Sequence, residues 1–516
     1  MSARLAPLIG IALLVGCGPI GAPGETGPIQ VAGRITYDAR HPTVRGTSAA
    51  VEVRPARFVD LEVLDGSGAV VAEGRADADG RFDLRAPAEG RSLRVLARVR
   101  VNGHDLAISE DEVGRVTHAM DVALTDGPLD VHAVDPTGDA GAFHVVDTLL
   151  RGVDAVHDWT GRTLPPVFVY WVRGGTREWS FYRGERPAGS GRYALELLGG
   201  DPGQASVSDT DEHDEAIILH ELGHFVMDRL TSDSSTGGMH PRGARIDPGV
   251  AWEEGRASWF ALAVLRAPLY QDTIGVEPWG TMRVDEDLEG GEDPVAGIAS
   301  ETSVSKILWD LSDGAEALPD QDDDGVALGP APILRAMVDH AAEPGVFASL
   351  PSFLAHLLAR GVVAPDALAH MLERGGEPAG ELVHAPSEVP WPRRLTLGEM
   401  THGTIDGLTQ PAPSGGLNLP ITGFDANHTY LVRVEHPGML VANLTIEGTG
   451  RVEDRSDLTL ELRDLRATIL ESSTGQSSRE TLAHMVTEPA YFIVKVRDGG
   501  LGNRAAYRLE VALETL

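Results

Sequence analysis

The stretch from Asp214 to Asp228 reads DEAIILHELGHFVMD, with two histidines and a glutamate at HExxH spacing. On an α-helix His220 and His224 stand one turn apart on one face, so both imidazoles can reach one cation. Glu221 points to the side of that face, where it can accept a proton from a water on the cation. Ile217, Ile218, Leu219, Leu222, Phe225 and Val226 surround the histidines with apolar positions, which points to a buried helix. A plain core helix with capped histidines would leave two imidazoles and a carboxylate unexplained in that setting. A catalytic zinc takes three protein ligands and keeps a further position open. Downstream, Trp252-Glu253-Glu254-Gly255-Arg256-Ala257-Ser258 offers two adjacent carboxylates for the third place.

HELGH followed by EEGRA resembles the motif pair of the gluzincin metallopeptidases. The resemblance implies zinc held by His220, His224 and Glu254, with Glu221 as the catalytic general base in peptide-bond hydrolysis. Glu253 is then a flanking residue, which either supports the metal ligands from behind, contacts a substrate amine or forms a surface salt bridge. Two departures stand out. The gap between His224 and Glu254 is long and has the composition of a loop, TSDSSTGGMHPRGARIDPG. Ser258 occupies a place that is often acidic in thermolysin-like enzymes, which leaves open what orients the histidine ligands. No Gly-x-Met-Glu-Asn element of the related aminopeptidases is present, so an endopeptidase is expected. His240 and Tyr270 are the candidates for a further donor to the developing oxyanion. A non-catalytic binding or adhesion protein built on a degenerate scaffold is the rival reading, and the intact set of His220, Glu221, His224 and Glu254 weighs against it.

Asp320, Asp322 and Asp324 stand at the first, third and fifth places of a loop with Gly325 at the sixth, the opening of a calcium loop. Position twelve is Ala331 rather than Glu, so the EF-hand is incomplete, and the loop either holds calcium or is solvated. Asp77 and Asp79 read as turn formers.

The chain begins MSARLAPLIGIALLVGCGP, with Arg4 ahead of an apolar run from Leu5 to Val15 that is too short to span a bilayer. Leu14-Val15-Gly16-Cys17 resembles a bacterial lipobox, and Cys17 is the only cysteine. The resemblance implies cleavage before a lipidated Cys17 and an extracytoplasmic protein anchored to a membrane by lipid alone. Gly18 after it leans toward the outer membrane. A single cysteine also means that no intrachain disulfide can form.

Behind these sites the 516 residues suffice for about three domains. The net charge of −34 repels phosphate backbones, so nucleic acid is a poor partner and a peptide or protein substrate the expected one. A monomer is expected. Short alternating runs over residues 29–125, including VDLEVLDGSGAVVAEGRADADGRFDL, predict a β-sandwich and resemble transthyretin-like or carboxypeptidase-regulatory-like domains. Helical periodicity from Ala142 and a strand at Val167 open a mixed region over 126–376 that holds both motifs. Residues 395–516 alternate again, and LTLGEMTHGTI, DLTLELRD, YFIVKV and AAYRLEVAL resemble the pre-peptidase C-terminal sandwich. The expected division is a signal segment 1–17, a tether 18–28, a sandwich 29–125, a zincin-like domain 126–376, a Pro-rich linker 377–394 and a second sandwich 395–516. The expected fold class is multidomain, an α+β zincin-like catalytic domain flanked by two antiparallel β-sandwiches.

Overall fold

The computed structural model describes residues 27–515 except 176–178, 205–206, 239, 241, 292–294, 316–317, 320–323, 408–422, 448–456, 476 and 500–503. Cys17, Asp320 and Asp322 lie outside the described residues. The described chain is multidomain α+β with β-sandwich-like parts. One hydrophobic core runs from Val31 to Leu382 and a second from Ile405 to Val511. Among the described residues no helix is long and apolar enough to cross a membrane.

The alternating N-terminal runs form strands because every second residue is apolar and finds a covered face. The strand Ile29–Ala39 pairs antiparallel with Glu52–Pro55 and Arg81–Ala86, and parallel with Leu129–Ala133. The strands Val59–Asp65, Val70–Arg75, Gly90–Val99 and Leu106–Ser109 belong to a second sheet. That sheet crosses the division expected at residue 125. Leu106–Ser109 pairs parallel with Val167–Tyr170, which pairs parallel with Tyr193–Glu196, and Phe181–Tyr182 closes the edge. The N-terminal strands therefore share a mixed sheet and a core with the region after them, instead of forming a separate antiparallel sandwich. The reason is local. Alternation marks a strand but not its partner, and all four residues of Leu106–Ser109 are buried, as in a strand covered on both faces.

Helix α1 (Ala140–Thr160) places Phe143, Val146, Leu149, Leu150, Val153 and Val156 in the first core, packed against Ile29–Ala39 and the motif helices. Helix α2 (Glu215–Leu230) carries HELGH and α3 (Pro248–Leu265) carries EEGRA. Helix α3 begins with Pro248 in its first turn, and the Asp247 side chain accepts from Gly249 N at 2.9 Å. Two glycines let the helices close up. A methyl at Gly223 would stand 3.0 Å from the Ala257 backbone, and one at Gly255 would stand 2.5 Å from Val304 of α4 (Glu301–Asp310). The apolar pattern over 332–374 resolves into Pro330–Ala341, Leu350–Ala359 and Pro365–Arg374, each with proline in its first turn.

The C-terminal strands form a sheet of five and a sheet of four that enclose the second core. The sandwich is not loosely tethered. Trp391, inside the expected linker, packs with Phe347, Leu431, Ala467 and Ile493 in a cluster shared by both parts. Lys495 Nζ donates to Asp247 Oδ2 at 2.9 Å, and the two side chains are 2% and 1% exposed. The residue that caps the Glu254 helix is thus also tied to the sandwich.

Candidate metal centre

Asp214, at the start of α2, accepts from Thr273 N at 2.7 Å and Thr273 Oγ1 at 2.9 Å. These bonds fix the head of the helix to the strand Leu269–Ile274. Nearly two turns further on begins the pair of imidazoles, His220 and His224, which lie nearly perpendicular with centroids 4.7 Å apart. Across from them α3 presents Glu254. Its Oε2 stands 3.3 Å from His220 Nε2 and 3.1 Å from His224 Nε2, and the two Nε2 atoms are 3.1 Å apart. Ligands at 2.0–2.1 Å from a tetrahedral zinc stand about 3.3–3.4 Å from one another. The three donors thus outline one face of such a tetrahedron to within a few tenths of an ångström. Three lone-pair atoms this close repel unless protons or a cation lie between them, so the donor set fits zinc. His224 is the most open of the three side chains, at 20% exposure against 8% and 12%, and marks the side from which the centre is reached.

The electrostatics agree. Burial disfavours charge on Glu254, but His240 and His224 overcome it and hold the carboxyl well below its usual range. Burial likewise opposes charge on His224, and Glu254 nonetheless pushes that imidazole up to about 10. The carboxylate therefore attracts positive charge to this point, which a divalent cation supplies as well as protons do. Glu221, buried beside the triangle, is pushed up by desolvation and by Glu254, against the pull of His220, His224 and His240.

Ser258 answers what its departure from an acidic residue left open. One turn beyond Glu254 on α3, its Oγ lies 3.0 Å from His220 Nδ1. For His220 to offer Nε2 to a metal, Nδ1 must carry the proton, and the serine oxygen accepts it. Ser258→Ala should weaken zinc binding by about 10- to 100-fold with the melting temperature almost unchanged, as read by chelator competition. An unchanged zinc affinity would reduce Ser258 to packing.

His240 and Tyr270 both come to the centre. His240 Nε2 is 3.4 Å from Glu254 Oε1, and its Nδ1 is 3.1 Å from Glu301 Oε2 on α4. Burial opposes its charge, yet Glu254 and Glu301 raise it to about 9. Tyr270 is buried, with its ring 5.8 Å from that of His220 and Arg242 4.4 Å above it. Arg242 also pairs with Glu301 and Glu286. Glu301 and Arg242 escaped sequence reasoning, because nothing near either residue marks a site.

Glu253 is not the surface salt bridge that was one of its expected roles. It is 5% exposed, pairs with the 1% exposed Arg256, and accepts from Ser234 N at 3.0 Å. Arg256 also donates to Thr231 Oγ1 and Ser232 O at 2.8 and 2.9 Å. Helix α3 is covered on all sides, so the pair turns inward and pins the loop that follows α2. In the acidic loop Asp324 is described and buried, and its Oδ1 accepts from Val326 N at 2.8 Å. Asp77 accepts from Asp79 N and Arg81 N, the bonds of a turn.

No family model and no curated protein matches the chain. Among solved structures it is similar to the pre-peptidase C-terminal domain of a Bacillus anthracis collagenase, at 14% identity and TM-score 0.17 over 23% of this chain and 92% of that one. It is similar to the Aeromonas hydrophila periplasmic g-type lysozyme inhibitor PliG at 8% identity and TM-score 0.15, covering 24% and 98% of the two chains. A Paenibacillus barengoltzii β-glucosidase is similar at 9% identity and TM-score 0.12, covering 93% and 70%.

Proposed function

We propose that the chain is a zinc-dependent metallopeptidase of gluzincin type, acting as an endopeptidase on peptide or protein substrates. The observation that carries this reading is the triangle of His220 Nε2, His224 Nε2 and Glu254 Oε2, with edges of 3.1 to 3.3 Å. Zinc, when bound, supplies Lewis acidity and lowers the pKa of a water toward about 7. Glu221 serves as general base, taking a proton at its carboxylate from the attacking water and returning it to the leaving amine. Burial keeps its proton affinity above that of a solvated glutamate, which suits a group that must both take and release a proton. Ser258 orients His220 by accepting its Nδ1 proton. His240, braced between Glu254 and Glu301, is the side chain best placed to offset negative charge developing beside the ligand carboxylate.

Metal analysis of the purified chain should find one zinc. Hydrolysis of unfolded casein should stop with a zinc chelator and return when zinc is restored. A chain that takes up no zinc at equimolar supply, or that cleaves as well with chelator present, overturns the reading.

A further inference from the structure

A second cluster of ligating groups lies behind the head of α2. Carboxylate oxygens of Asp209, Asp211 and Asp272 fall within 4.8 Å of one another. The backbone brings them together. Asp209 forms an antiparallel bridge with Ile274, Gly275 N donates to Ser208 O at 2.7 Å, and Thr210 Oγ1 donates to Thr273 O at 3.2 Å. The loop before α2 is thus laid along the strand that carries Asp272.

The charges do not balance. Arg283 is shared, with Nη1 donating to Asp209 Oδ2 at 2.9 Å and Nε 3.7 Å from Asp272 Oδ2. Ser180 Oγ donates to Asp211 Oδ2. The remaining oxygens of two members, Asp209 Oδ1 and Asp272 Oδ1, are buried and find no hydrogen-bond donor among the described residues. Asp272 is only 7% exposed, so water cannot readily satisfy it. Arg283 is the guanidinium paired with this set of three carboxylates; Arg242 and the Asp214 carboxyl also act on them and oppose each other, which leaves about two negative charges for one divalent cation to neutralise. The donors are all oxygen, which selects a hard ion. Two ligands on one calcium stand at most about 4.6–5.2 Å apart, and these oxygens, within 4.8 Å of one another, lie inside that span.

We propose that Asp209, Asp211 and Asp272 bind a calcium ion distinct from the zinc centre. The ion clamps the loop before α2 to the strand Leu269–Ile274, two residues from Tyr270, whose ring packs on His220. Burial and mutual repulsion bear on the same point, pushing Asp211 well up and Asp272 to about 7, so protons are the cation's competitors at this cluster.

The test uses the full chain with zinc held constant and reads calcium directly. Equilibrium dialysis with radioactive calcium should show binding at millimolar free ion, and the melting temperature should climb with calcium. Asp272→Asn and Asp211→Asn should each weaken that binding at least tenfold. Asp324→Asn, in the separate acidic loop, should keep the site. No bound calcium in the wild type overturns the proposal, as does wild-type binding by both cluster variants. If calcium leaves the melting temperature unchanged while Asp272→Asn raises it, the cluster is a set of carboxyls sharing protons and the proposal fails. Should Asp272→Asn not fold, wild-type dialysis and Asp211→Asn still decide.

Discussion

In the Glu221→Gln chain, zinc stays at the wild-type level while kcat falls by about 10²- to 10⁴-fold. Glu221 is no corner of the donor triangle, so the amide takes nothing from the metal. It removes the carboxylate assigned the proton transfer and leaves His240 at the centre unchanged. The exchange should cost little stability, because burial already disfavours the ionised form at this position. His220→Ala is the contrasting variant, since it removes a corner and should lose zinc and activity together. Zinc content by mass spectrometry and steady-state kinetics on one preparation separate the two. A Glu221→Gln chain that still cleaves places the base elsewhere, and one that loses its zinc makes Glu221 a ligand.

What the sequence could and could not reveal about this site follows from distance along the chain. The helical phase of His220, Glu221 and His224 is written in five residues, and the structure places all three in the expected helix. The step from His224 to Glu254 crosses a long loop and rested on resemblance, yet the structure brings the pair to 3.1 Å. Ser258 was visible only as a departure, because its partner lies 38 residues away. The acidic loop at 320–324 suggested calcium by its spacing alone, and Asp320 and Asp322 lie outside the described residues, whereas Asp209, Asp211 and Asp272 converge only through pairing of a loop with a distant strand. The same limit hid the shared sheet. A buried strand such as Leu106–Ser109 carries no mark of whether its neighbour lies before or after it in sequence. Glu253 was placed wrongly for another reason. A Glu and an Arg three residues apart look like a surface pair unless the whole circumference of the helix is known to be buried.

That difference makes the adjacent glutamates a sharp test. Glu254→Gln keeps the shape of the side chain and removes the charge that His224 and His240 face, so zinc should be held far more weakly while the fold survives. Glu253→Gln acts on the fold instead. It leaves Arg256, 1% exposed, without its carboxylate; breaking a buried pair costs about 3–5 kcal/mol, and burial, which pushes the Glu253 carboxyl up to about 7 against the pull of Arg256, reduces that loss. The bonds from Arg256 to Thr231 and Ser232 remain and place the loss toward the lower end of that range. The Glu253→Gln chain should therefore melt several degrees lower, yet bind zinc with near wild-type affinity at temperatures where it is folded. Thermal melts and chelator competition, run on both variants, read the two effects separately. If Glu253→Gln loses the metal and Glu254→Gln keeps it, the third ligand is the preceding residue. If both hold zinc as the wild type does, the third ligand lies off α3, and the triangle of His220, His224 and Glu254 is only a proton-sharing cluster.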